Sequence, residues 1–341
     1  LRVADPDFRG DITDIGARYS LSKGNAAVKG IHAQLLGGEV TGNMDVRDVA
    51  GASEAKLHAA VRQISLDKLR PLTQSAQLKQ VALAGSLNAD ADATWSGKLE
   101  NLMARTNATI QANVASRNEA NTNTIPVNGV IHGQYSAKRK QISIQQSYLR
   151  LPQSSLNLNG TVSSHSSLQI RFRSNNVHEL EAVADVLDPA LQKQKFELQG
   201  TASFTGDMRG STSVPQLTGQ LSAENLQVKG SHWRGFTANV KASPSLAALE
   251  NGELQPSDGG RISFALSTAL RHWSFDQHSQ ISIALNANHV NADDLTKFAG
   301  RPVPIAGMLS ANISVKGSVS SPTGQGEIGL TRASVVGEPL Q

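Results

Sequence analysis

The residues whose types could carry chemistry are nine histidines, an adjacent aspartate pair, many serines, several glycine-rich stretches and one basic triplet. Metal binding needs imidazoles at a spacing that brings them to one point, such as i and i+4 on a helix. His272 and His278 lie six apart, and His178-Glu179 lacks the second histidine of a zincin helix. Nucleophilic catalysis by serine needs a strained elbow of the Gly-x-Ser-x-Gly kind, which the chain lacks. Gly206 to Gly210 and Gly324-Gln325-Gly326 have neither the lysine nor the strand-to-helix setting of a phosphate loop, so they are expected as hairpin turns. Asp293-Asp294 suits the first turn of a helix better than acid–base work. Lys138-Arg139-Lys140 reads as a solvated strand end.

Composition narrows the chemistry further. With no cysteine there is no disulfide framework, thiolate zinc site or thiol nucleophile. Lys plus Arg number 32 against 28 for Asp plus Glu, a formal net charge of +4 that is too small to point to nucleic acid. No apolar run reaches the roughly 18 residues that span a bilayer. The expectation is a protein that is not an enzyme and that carries no metal or cofactor. What remains is the chemistry of apolar surface.

That surface is written as alternation of apolar with small polar residues, the signature of strands with one buried face. Ile281, Ile283 and Leu285 alternate with Ser282 and Ala284; Ile142 and Ile144, Leu156 and Leu158, Leu226 and Val228, and Leu309, Ile313 and Val315 follow the same rule. Leu217 and Leu221 flank Gly219 in a stretch opened by Pro215, which belongs at a strand start or sheet edge because proline donates no ladder hydrogen bond. These fourteen residues are the predicted apolar face.

Three stretches break the alternation. Val177 to Pro189 and Val290 to Gly300 space their apolar residues by three and four, and Ile64 to Pro71 is a shorter version, so each predicts a short helix. Asn291 is the expected N-cap of the second. Ile64 to Val177 and Val177 to Val290 are both 113 residues. Gly200, Pro215, Gly219 and Gly230 recur as Gly307, Pro322, Gly326 and Gly337, each 107 residues on, and Gly37-Gly38 recurs as Gly259-Gly260 after 222. The chain therefore reads as an array of about 110 residues per repeat: the end of one repeat in 1–63, repeats in 64–176 and 177–289, and the start of another in 290–341. Opening on Leu1-Arg2-Val3, it is expected to be an internal segment of something longer.

The predicted fold class is all-β with a few short helices. An alternating sheet must bury its apolar face, and periodicity alone favours a second sheet and a closed sandwich. The alternative is a long antiparallel sheet curled into an elongated open groove occupied by something other than protein. Repeats that follow one another without polar linkers favour a continuous sheet. With 3 Trp and 3 Tyr, the lining is expected to be smoothly aliphatic and suited to hydrocarbon.

The order strand, short helix, strand, glycine, meander, followed by Gly-x14-Pro-x3-Gly at Gly307, Pro322 and Gly326, resembles the AsmA-like superfamily of bacterial envelope proteins. The likeness is best from Phe196 to Gly230 and from Ile305 to Gly337. It implies a β-taco that crosses the periplasm from an inner-membrane anchor lying outside this segment. It also implies a groove holding phospholipid acyl chains, a role in lipid transport and outer-membrane biogenesis, and inner- and outer-membrane protein partners contacted through other regions. The competing expectation is a structural or adhesive envelope scaffold with dry cores. A carbohydrate-active solenoid would need clustered carboxylates and aromatic platforms, which the sequence lacks.

Overall fold

A computed structural model describes residues 2–5, 8–69, 81–116, 124–187, 197–298, 305–335 and 338–339. Strand accounts for 75 % and helix for 7 %, so the protein is all-β. It divides into two units, the first formed by Leu1–Ser164 with Ala182–Gln194, the second by His165–Glu181 with Lys195–Gln341.

In the first unit the strands are β1 (Arg2–Asp5), β2 (Phe8–Ser22), β3 (Asn25–Leu35), β4 (Gly38–Arg47), β5 (Glu54–Ser65), β6 (Val81–Ser96), β7 (Met103–Ser116), β8 (Ile125–Ser136), β9 (Gln141–Arg150) and β10 (Ser154–Val162). Each pairs antiparallel with its chain neighbour. The second unit repeats the plan with β11 (Ser166–Ser174), β12 (Gln199–Gly210), β13 (Pro215–Val228), β14 (Ser231–Ser243), β15 (Leu246–Pro256), β16 (Arg261–Ala269), β17 (Gln280–Asn291), β18 (Ile305–Ser318), β19 (Ser321–Val335) and β20 (Glu338–Pro339). Among the described residues its pairings also join chain neighbours only. Both are open meanders, not the closed sandwich that periodicity alone favours. Pro215 does open a strand, β13.

The helices stand where the sequence puts them: α1 (Leu66–Leu69), α2 (His178–Leu187) and α3 (Ala292–Phe298), with starts 112 and 114 residues apart. Pro71, Pro189 and Gly300, the expected stops, lie outside the described residues. Each helix follows an almost fully buried aliphatic residue, Ile64, Val177 or Val290, and each entry is fixed by a short polar side chain. Asn176 Oδ1 accepts from the His178 amide at 3.0 Å, Asn291 Oδ1 accepts from the Asp293 amide at 3.1 Å, and Ser65 Oγ donates to the Asp67 carboxylate. The two asparagine contacts occupy amides that a first helical turn leaves without partners.

Two glycine stretches depart from expectation. Gly206 to Gly210 lies within β12 and Gly324 to Gly326 within β19, so neither is a turn. The reason is space on the apolar face. A Cβ on either Gly206 or Gly219 would stand 2.6 Å from Phe204 Cζ, and one on Gly326 would stand 3.2 Å from Ile313 Cγ1. The glycines let large neighbours lie across the strand.

Candidate functional site

In an antiparallel ladder directly opposed residues share a face, so register shows what each face carries. In the second unit one row runs Ile170, Gly206, Gly219, Val240, Leu249, Leu266, Ile283, Val315, Gly324 across nine strands. The predicted residues fall into this row or its neighbours. Ile281 opposes Gly317, Leu285 opposes Ile313, Leu221 opposes Phe204, and Leu217 opposes Met208. Leu309 opposes Val290, Leu226 opposes Trp233 and Val228 opposes Ser231. In the first unit Leu156 ends the row Ile64, Leu87, Ile110, Gly129, Leu149, Leu156. Leu158 opposes Ser147, Ile144 lies between Gly133 and Gly160, and Ile142 between Tyr135 and Val162.

The opposite face is polar. In the first unit Asn43, His58, Asp92, Arg105, Gln134 and Ser143 form one row there. Its polar side-chain pairs include Lys29–Asp45 at 2.7 Å, His58–Asp92 at 2.8 Å and Arg62–Asp90 at 2.5 Å. All are solvated, so each adds at most about 1 kcal/mol. The histidines are held singly by neighbours, His132 by Asn107, His178 by Glu181 and His289 by Asn288. Among the described residues no three His, Asp or Glu side chains gather as a metal site.

Burial distinguishes a dry core from an open face. Of the fourteen predicted residues only Val228 is buried, Ile142 is 44 % exposed and the other twelve are half-buried. A sandwich core would bury them on this face, since facing sheets interdigitate. Coverage comes instead from the helices at one end of the strands. In the second unit α3 packs on β14, β17 and β18, where Trp233 is 1 % exposed and meets Phe298 edge-on at 5.4 Å. Val228, Leu254, Ile262, Ala287, Val290 and Ala311 are buried with Trp233 in this cluster. In the first unit Ala182 and Val183 pack on Ile125 with Val114 and Leu151. At the far, turn-bearing end of the first unit's strands Tyr135 and Ile142 are exposed.

The lining is not wholly aliphatic. Phe172 opposes Phe204, Phe236 stacks on Phe264 with centroids 5.7 Å apart, and Phe264 lies over Gly252. Overall aromatic content is low, yet half of the phenylalanines share this one face of the second unit.

Register also shows how long strands keep one face apolar. Gln63 and His289 have left-handed backbones, with φ of 53° and 51°, and each is the extra residue of a bulge. The bulge switches parity, so Val61 and Ile64 share a face, as do Ala287 and Val290. Its spare amide finds an acceptor opposite: Gln63 donates to Asn88 Oδ1 at 2.8 Å, and His289 to Ser310 Oγ at 3.3 Å. Gly30 does the same with Asn43 Oδ1 at 3.0 Å. Sequence reasoning followed unbroken alternation and so missed Ile64, Leu87, Ile110, Leu149, Leu254 and Ile262. The available signal was a pair of apolar residues three apart at the end of an alternating run.

Asp294 in α3 is nearly buried, and desolvation, reinforced by the Asp258 and Asp293 carboxylates, raises its pKa. Comparison of the chain with family models, curated proteins and solved structures yields no match. No helix among the described residues is long and apolar enough to cross a membrane.

Proposed function

We propose that this chain is a shaft segment of an AsmA-like envelope protein, nearest the translocation and assembly module subunits, whose apolar face shields phospholipid acyl chains in transit between membranes. The observation that carries this reading is the nine-strand apolar row through Ile283 and Val315, continuous and half-buried from Ile170 to Val315, backed by a polar face. Exposing hydrocarbon costs about 0.8 kcal/mol per CH₂, so a chain of roughly 16 carbons faces a barrier on the order of 10 kcal/mol in water. At about 4.8 Å per strand the row is about 38 Å long, against about 15 Å for one leaflet's share of a bilayer core. It offers several equivalent weak positions instead of one tight site. In this reading the protein resides in the periplasm and meets inner- and outer-membrane proteins through regions outside the segment.

Native mass spectrometry with lipid extraction, on protein purified in mild detergent beside an unrelated soluble β protein, tests it. Several phospholipids per chain are expected. Lipid-free protein would instead favour a structural or adhesive scaffold, the reading to which the dry Trp233 cluster lends support.

A further inference from the structure

We infer that the β8–β9 turn, Lys138-Arg139-Lys140, docks the phosphate of an anionic amphiphile whose acyl chain lies on the adjoining apolar face. The inference deepens the conduit reading and rests on it. Three consecutive cations are exposed there, and no carboxylate among the described residues forms an ion pair with any of them. Lys29, Arg62, Lys241 and Arg261, by contrast, are matched to Asp45, Asp90, Glu250 and Glu253.

The turn is held in shape. The Lys140 amide donates to Ala137 O at 3.1 Å, and the Ala137 amide donates to Leu102 O at 2.9 Å, tying the turn to the loop after β6. Lys140 takes a left-handed backbone with φ of 47°, a conformation that non-glycine residues adopt at a cost. The backbone bearing the cations is thus fixed before any ligand arrives.

Directly below the turn, Tyr135 and Ile142 oppose each other across β8 and β9 and are 38 % and 44 % exposed. They lead onto Ile144 and Leu149, deeper on the same face. A ligand that satisfies both surfaces has a negative head and a hydrocarbon tail. A free anion would leave the Tyr135–Ile142 surface in water, and an uncharged lipid would leave the cations unmatched.

The test offers the full chain phosphatidylglycerol and phosphatidylcholine vesicles in equal amounts and counts bound lipids by native mass spectrometry. Cations beside an anionic lipid surface favour it in a salt-dependent way, and three on an exposed turn are expected to give roughly tenfold selectivity at low salt. The Lys138→Ala/Arg139→Ala/Lys140→Ala variant, its β signal checked by circular dichroism, is expected to bring that ratio near one while phosphatidylcholine uptake stays constant. Lys138→Arg should preserve the ratio. A triple variant that keeps the wild-type ratio overturns the inference and leaves the conduit reading standing, as does a wild-type protein with no preference. Glycerol 3-phosphate that binds the turn as tightly as the lipid overturns the amphiphile assignment. Failure of the wild-type chain to take up either lipid overturns both.

Discussion

The two units run the same two-faced meander with different fillings. The second is packed with large side chains, Phe204 and Phe264 over glycines, Phe236 against Phe264, and Trp233 beneath α3. In the first, the row through Ile144 reads Ile31, Gly42, Ala59, Ala91, Thr106, Gly133, Ile144, Gly160, and the adjacent row pairs Ala93 with Ala104. Backbone plan therefore sets how long the apolar face is, while side-chain volume sets how much of it is left uncovered. Small residues keep a face shallow and open; aromatic residues bring the walls closer and supply the unit's own cohesion.

Breaking the filling should have the largest effect. Trp233→Ala removes the fully buried ring that α3 rests on and is expected to destabilise the second unit by about 3–5 kcal/mol. In denaturant, its transition should separate from that of the first unit, which should stay in place. If both transitions move together, the units do not unfold independently.

Ile283→Asp sharpens the distinction between an open face and a dry core. On a half-open row the carboxylate stays hydrated, so the β signal should survive while lipid occupancy of the second unit falls. In a closed core the same change buries an unpaired charge and unfolds the unit. The matching change in the first unit, Ile144→Asp, should cost less stability because its neighbours Gly133 and Gly160 leave water easier access.

How much of this was legible beforehand differs between the features. Helix position was legible because Ile64, Val177 and Val290 recur at a fixed interval, each next to a short polar residue, a local signal needing no knowledge of partners. The identity of the apolar face was legible wherever alternation ran unbroken, as through Ile281, Ile283 and Leu285. The bulges were not, since a parity switch at Gln63 or His289 is defined by Asn88 or Ser310 on another strand. Glycines misled for the same reason: Gly206 looks like a turn until Phe204 is seen to need its space. Low aromatic content concealed the phenylalanines, because composition does not report that register will gather them.

The bulges give a smaller test. Asn88→Ala removes the acceptor for the Gln63 amide and should cost about 1 kcal/mol, read as a lower denaturant midpoint of the first unit. The second unit has the corresponding contact from His289 to Ser310, longer at 3.3 Å, and Ser310→Ala should cost less.

The smallest effect expected is that of pH on the second unit. The Asp294 pKa is raised in the folded state, chiefly by desolvation. Above that raised value the buried charge opposes folding. As pH falls through it towards the ordinary carboxylate value the folded state binds the proton first, so stability should rise on mild acidification. Asp294→Asn should abolish this slope and raise stability at neutral pH, measured by denaturation at several pH values.

Because every strand pairing among the described residues of both units joins chain neighbours, the meander has a consequence for the order in which the protein is made. Each hairpin can close once its second strand has emerged, with no need to wait for a distant partner, so loop-closure entropy is lost in small instalments. A chain delivered from one end would therefore fold behind its own leading edge, with unpaired edges confined to the newest strand and to the strand that opened the meander.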